Sequence, residues 1–197
     1  KISNKIDLNL AGDKVPLDLI KSADLINTDL DFDGNLNFKG TVKGNREEFV
    51  IGLDTNLTDL EVLNIKINDI NGNLSYNSSG KLTFKQLLNQ TDDQNITAEG
   101  SLRITERFIP EIEIEINNYK LNQIANIDGS ISTLKGAIDG GVTLRGEMQN
   151  PQLSGNIGVD LSRLAVEGIA DITNINGNLS FDERKITLND IKGKFGE

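Results

Sequence analysis

The chain has no cysteine, no histidine and no tryptophan among its 197 residues, and only three prolines and one methionine. Without cysteine there is no disulfide, no thiol nucleophile and no cysteine-ligated metal. Without histidine the commonest general base and transition-metal ligand is gone. Ser-His-Asp and Cys-His catalysis therefore cannot operate within this chain. Basic charge is also short: 20 Lys and Arg stand against 30 Asp and Glu, a formal net charge of −10. That balance opposes nucleic-acid binding, which needs a basic footprint. No apolar run approaches the roughly 20 residues of a transmembrane helix. There is no secretory signal, and the chain opens at Lys1, so it reads as a piece of a longer protein whose anchor or address lies elsewhere.

What is present is alternation. Glu111-Ile112-Glu113-Ile114-Glu115-Ile116 puts Ile on one face and Glu on the other. Ile6-Asp7-Leu8-Asn9-Leu10, Leu36-Asn37-Phe38, Leu63-Asn64-Ile65-Lys66-Ile67, Leu102-Arg103-Ile104 and Lys185-Ile186-Thr187-Leu188 alternate in the same way. Successive strand side chains point to opposite faces, so each segment has one apolar and one wet face. This belongs to antiparallel sheets with one face in water. The fold class expected is all-β, with roughly a dozen short strands of ~5–6 residues. Asp33-Gly34-Asn35, Asn71-Gly72-Asn73, Asp128-Gly129, Asp139-Gly140-Gly141 and Asn176-Gly177-Asn178 read as tight hairpin turns between them. Pro16 to Ile20 and Leu121 to Ala125 could each make a helical turn, and Gln86 to Asn95 reads as a longer loop.

The sequence also repeats at an offset of about 105 residues. Phe32 to Gly40 aligns with Ile138 to Gly146, and Ile51 to Asp54 with Ile157 to Asp160. Ile70 to Tyr76 aligns with Ile175 to Phe181, and Lys81 to Phe84 with Lys185 to Leu188. The expectation is two units, 1–90 and 91–197, stacked as a continuous array. A duplicated sandwich is the alternative.

Several phrases carry a family resemblance. They are Val15-Pro16-Leu17-Asp18-Leu19-Ile20 followed by Asp33-Gly34-Asn35-Leu36, and Leu144-Arg145-Gly146-Glu147-Met148-Gln149-Asn150-Pro151-Gln152-Leu153-Ser154-Gly155. A third is Ile175-Asn176-Gly177-Asn178-Leu179-Ser180-Phe181-Asp182, then Ile186-Thr187-Leu188 and Gly193-Lys194-Phe195-Gly196. Together they resemble the TamB branch of the AsmA-like superfamily, the bridge-like lipid transfer proteins of the bacterial envelope. The first repeat departs from the wording, with Gly44-Asn45-Arg46 where the second has Asn150-Pro151-Gln152. The resemblance implies a long antiparallel sheet curled into a β-taco, an open half-pipe with an apolar concave face. It implies phospholipid passage between inner and outer membranes and support of outer-membrane biogenesis. It further implies a periplasmic location, an inner-membrane anchor in the parent protein, and an outer-membrane assembly partner of the BamA/TamA type. Phospholipid acyl chains would be the cargo, with no cofactor, no metal, no nucleic acid and no enzymatic activity.

The residues expected to line such a groove are the period-2 apolar sets. These are Leu8, Leu10, Leu36, Phe38, Ile51, Leu53, Leu63, Ile65, Ile67, Leu74, Tyr76, Leu82 and Phe84. The second half adds Leu102, Ile104, Ile112, Ile114, Ile116, Val142, Leu144, Ile157, Val159, Leu179, Phe181, Ile186 and Leu188. Ile and Leu with few aromatics suit a nonspecific acyl surface better than a shaped pocket. The same residues would serve equally as a plain core. The opposite side, with Glu111, Glu113 and Glu115, would be a solvated outer wall. Asp29-Leu30-Asp31-Phe32-Asp33-Gly34 imitates the start of an EF-hand loop, but Gly40 stands where the bidentate Glu belongs. A structural stalk or interaction module without lipid is the alternative function.

Overall fold

A computed structural model describes residues 5–19, 32–62, 65–67, 69–91, 93–104, 108–121, 131–147 and 150–196. The strands are β1 (Ile6–Pro16), β2 (Phe32–Gly44), β3 (Phe49–Val62), β4 (Ile65–Ile67), β5 (Ile70–Asn77) and β6 (Lys81–Thr91). They continue as β7 (Gln94–Ile104), β8 (Phe108–Lys120), β9 (Ile131–Arg145), β10 (Gln152–Val166), β11 (Ile172–Glu183) and β12 (Lys185–Phe195). All belong to one antiparallel sheet. Eleven lie side by side in chain order, and β4 pairs off the path with the end of β3. Most strands run 11–15 residues, about twice the expected length.

The described strands form one sheet, paired without a break from β1 to β12. A duplicated sandwich would need two separate sheets, and no second sheet is present among the described residues. The accessible surface, 13327 Å², exceeds the roughly 9,200 Å² of a compact protein of this mass. The sheet is open: among the described residues β1 pairs only with β2 and β12 only with β11. With eleven strands alternating in direction, β1 and β12 run the same way. They cannot pair antiparallel, so the sheet cannot close into an all-antiparallel barrel.

Two sequence expectations are overturned. The Gly-Asn clusters are not turns. Gly34 lies in β2, Gly72 in the middle of β5, Gly140 inside β9 and Gly177 inside β11. Asparagines of these clusters bond sideways instead of bending the chain. Asn35 Nδ2 donates to Asp59 Oδ2 at 3.2 Å, and Asn71 Oδ1 accepts from Asn56 Nδ2 at 2.8 Å. Reversals among the described residues fall instead at, for example, Asn45–Glu48, Ser78–Gly80, Glu167–Ile169 and Arg184. Asp128-Gly129 lies outside the described residues. Nor is Gln86 to Asn95 a loop: β6 runs on to Thr91 and β7 begins at Gln94. That hairpin straddles the 90/91 boundary, and pairing continues through it. Helical geometry among the described residues is confined to Asp18, Leu19 and Leu121. The rest of both expected helical turns lies outside them.

The repeated phrases occupy β2-β3-β5-β6 and β9-β10-β11-β12, each a run of four neighbours. The last hairpin keeps its pairing. Tyr76 faces Leu82 as Phe181 faces Ile186, and Leu74 faces Phe84 as Leu179 faces Leu188. The first hairpin does not. Gly40 pairs with Leu53, whereas its counterpart Gly146 lies beyond the end of β9. The reason is the turn, which falls at 45–48 in one unit and 146–151 in the other.

Register is corrected by bulges. Lys14, Asp59, Asn118, Asn174 and Asp190 all have positive φ, and each sits where the pairing skips. Four of these skips share a wording: Leu57-Thr58-Asp59-Leu60, Ile116-Asn117-Asn118-Tyr119, Ile172-Thr173-Asn174-Ile175 and Leu188-Asn189-Asp190-Ile191. An extra residue in the left-handed region, tolerated best by Asn and Asp, brings the apolar residues at i and i+3 to one face.

Glycines on that face are crowded by the next strand. A Cβ on Gly100 would lie 2.1 Å from the Glu111 carbonyl oxygen, and one on Gly72 2.1 Å from that of Lys85. On the other face, a Cβ on Gly52 meets nothing within 4 Å.

Two stability outcomes follow, both read by urea unfolding. Gly100→Ala loses about 2 kcal/mol through overpacking, while Gly52→Ala stays within about 0.5 kcal/mol. At φ +40°, Asn118→Val loses about 1–2 kcal/mol and Asn118→Gly is close to neutral. Equal effects of the two glycine variants would contradict the crowding asymmetry.

Candidate apolar groove face

Cross-strand pairing shows which side chains share a face. One row runs Leu36, Leu57, Ile70, Leu88, Ile96, Ile116, Gly140, Ile157, Leu179, Leu188, from β2 to β12 without a polar side chain. The next row runs Leu10, Gly40, Leu53, Leu74, Phe84, Gly100, Ile112, Leu144, Leu153. A third carries Leu8, Val42, Ile51, Tyr76, Leu82, Leu102 and Pro110.

The register brings nearly all of the expected residues onto this face. Phe38 lies over Gly12, on the row that continues through Ile114, Val142 and Phe181 to Ile186. Val159 faces Ile138, and Ile67 faces Leu60. Ile104 closes its row opposite Phe108. Leu63 lies outside the described residues. Ile65 pairs with Val62 through its backbone, and its side chain is not described.

Coverage varies along the sheet. Ile116 and Val142 are buried, and Ile116 joins a core with Tyr119, Leu121, Leu161 and Ile175. Most of the remainder are half-buried. The edges are open: Leu8 is 56% exposed on β1, and Ile186 and Leu188 are 65% and 67% exposed on β12. Plain alternation misses Leu60, Tyr119 and Ile175, because the bulge shifts their phase by one. It misses Leu88 and Ile96 because their segment looked like a loop. The i, i+3 spacing around an Asn or Asp would have found the first three.

The opposite face is hydrophilic. One row reads Lys39, Asp54, Asn73, Lys85, Glu99, Glu113, Thr143, Ser154, Asp182, Lys185. Lys85 Nζ lies 2.7 Å from Glu99 Oε2. The hydrogen bond to Glu99 and its charge, with a further contribution from Glu115, hold the ammonium above its usual range. Both side chains are well exposed, so this pair orders the surface more than it stabilises the fold. Glu111, Glu113 and Glu115 all lie here and are exposed. Arg163 reaches Asp171 with two nitrogens, at 2.6 and 2.7 Å. Shallow depressions on this face are lined by such residues, among them Lys85, Glu99, Glu113 and Arg145. They hold ion pairs already made and open to solvent.

Among the described residues, no three acidic side chains are grouped to hold a metal ion. The EF-hand-like Asp29 and Asp31 lie outside them. No helix among the described residues is long and apolar enough to cross a membrane. Comparison with protein-family models, with curated proteins and with solved structures finds no match to this chain.

Proposed function

We propose that the sheet curls about its apolar face into an open half-pipe, and that this groove carries phospholipid acyl chains. The observation that carries the reading is the row from Leu36 to Leu188, apolar on each paired strand from β2 to β12, with no second sheet over it among the described residues. An acyl chain crossing water needs such a surface. Each methylene left in water costs about 0.8 kcal/mol, so fifteen cost about 12 kcal/mol. Ten strands at ~4.8 Å spacing carry the row ~43 Å.

The glycine asymmetry supports the direction of the curl. Bending a sheet compresses the side chains of its concave face and separates those of its convex face. Gly40, Gly72, Gly100 and Gly155 crowd the next strand's backbone on the apolar side, while on the polar side Gly52 and Gly141 have room and Gly158 is crowded only by the flexible Asp139 carboxylate. Burial supports it too. In a flat single layer the outer end of Ile116 or Val142 would face water, yet both are buried.

On this reading the chain is a segment of an envelope-spanning bridge of the TamB type. Its setting is the periplasm, and its parent is anchored in the inner membrane and docked to an outer-membrane assembly protein of the BamA/TamA type. The phrases quoted above support that family, and the activity is transfer rather than catalysis. The free edges of β1 and β12 favour a second reading, an interaction module that offers strands to partners and carries no lipid.

Native mass spectrometry of the purified chain, with lipid extraction, separates the two. Co-purifying phospholipid is expected. It is lost in Ile114→Asp and Leu74→Asp variants that keep their circular dichroism, and retained in Glu113→Lys on the polar face. A folded, lipid-free chain that also fails to label with a photo-crosslinkable fatty acid would sink the groove in favour of the interaction module.

A further inference from the structure

Among the described side chains away from the hairpin ends, the apolar face of β1 to β8 is built from Ile, Leu, Val, Phe, Tyr, Pro, Ala and Gly, with two exceptions. These are Thr55 on β3 and Gln86 on β6, which flank Gly72 of β5. Their side chains meet across the glycine. Thr55 Oγ1 lies 3.3 Å from Gln86 Oε1 and 3.2 Å from Gln86 Nε2. The same Nε2 donates to the Asn73 carbonyl at 3.3 Å. The missing Cβ of Gly72 makes this possible, since its place would be 2.5 Å from Gln86 Oε1.

Two polar side chains in an otherwise apolar field need a reason. A Val at 55 and a Leu at 86 would continue the pattern with side chains of similar size. All three contacts are longer than the usual ~2.9 Å, so they are weak and leave a hydroxyl or amide proton able to turn outward. On the far side of Gln86 the row steps down to Ala98, with Gly100 beside it. This leaves a low spot next to the polar pair. The ring of neighbours is apolar: Leu53, Leu74 and Phe84 on one side, Leu57, Ile70 and Leu88 on the other.

We propose that Thr55 and Gln86 form a polar anchoring site in the groove, where the ester carbonyls of an acyl lipid are held while its chains lie on the flanking Leu and Ile rows. The inference rests on the groove reading above. The chemistry selects an uncharged group. The site offers N–H and O–H donors, which match a carbonyl oxygen that would otherwise go unpaired against hydrocarbon. It offers no cation, because Lys39 and Lys85 lie on the opposite face. A phosphate would find no charged partner there, so the headgroup stays outside while the ester region sits at the pair.

A matched pair of fluorescent probes tests this: the methyl ester of pyrenedodecanoic acid, and dodecylpyrene, which lacks the ester. The unaltered chain is expected to bind the ester about fivefold more tightly than the hydrocarbon. Thr55→Val with Gln86→Leu binds both alike, through weaker ester binding and unchanged hydrocarbon binding. Gln86→Met alone, which keeps volume, gives the same direction if the double variant does not fold. Thr143→Val on the polar face leaves the preference intact. An ester preference that survives in the variants, or is missing in a chain that binds both probes, overturns the anchoring site but leaves the groove standing. A chain that binds neither probe overturns both.

Discussion

The whole architecture depends on phase. A single-layer sheet has no second sheet to bury a strand that turns the wrong way. A slip of one residue moves every apolar side chain of that strand into water on the polar face. Eleven strands must therefore agree, and strands of 11–15 residues accumulate twist that works against agreement. The bulges at Lys14, Asp59, Asn118, Asn174 and Asp190 answer this. Each adds one residue, and the strand resumes with its apolar side chains on the same face. In β8 the shift from Ile116 to Tyr119 lets the strand leave the row of Ile96 and enter the core beside Leu161 and Ile175.

Openness is defended by chemistry. Among the described residues β1 and β12 each have one neighbour and do not pair with each other. Both edges therefore present backbone groups to the outside, the usual template for aggregation. Each edge carries deterrents. β12 has Lys185, Lys192 and Lys194, all exposed, and a skipped pairing near Asp190. β1 has Asp7, Asp13 and Lys14, a bulge, and Pro16 at its end. These devices spoil a flat, uncharged edge without covering the apolar face beside it.

Much of this was legible in the sequence because period-2 alternation is a direct image of a one-sided sheet. Glu111 to Ile116 reads the same in one dimension and in three. What was not legible is where the chain reverses. Asn71-Gly72-Asn73 has the chemistry of a turn, yet it sits mid-strand: Asn71 bonds to Asn56 on the next strand, and Gly72 gives way to Gln86. Local preference loses there to a cross-strand partner that no local window contains. The Gln86 to Asn95 hairpin failed for a related reason. Its polar residues alternate with Leu88 and Ile96, and only the pairing partners Ile70 and Ile116 reveal that those two belong to an apolar row.

A groove for acyl chains makes three separate demands: one continuous apolar face, a sheet that stays open, and a curl toward that face. Each has its own source in the residues. Asn and Asp bulges keep the face continuous. Edge strands β1 and β12 that do not pair with each other leave the described sheet open. Glycines such as Gly40, Gly72, Gly100 and Gly155, which crowd the next strand's backbone on the apolar side, fit a curl toward that side. A protein that needed only a stable stalk would gain from burying Leu74, Phe84 and Ile112 under a second layer. It would have no reason to place Thr55 and Gln86 together in the middle of them. Among the described residues no second sheet covers this face, and the polar pair of Thr55 and Gln86 sits in the middle of it; for the proposed groove that is an economical arrangement, since an amphiphile needs both apolar rows and a polar foothold.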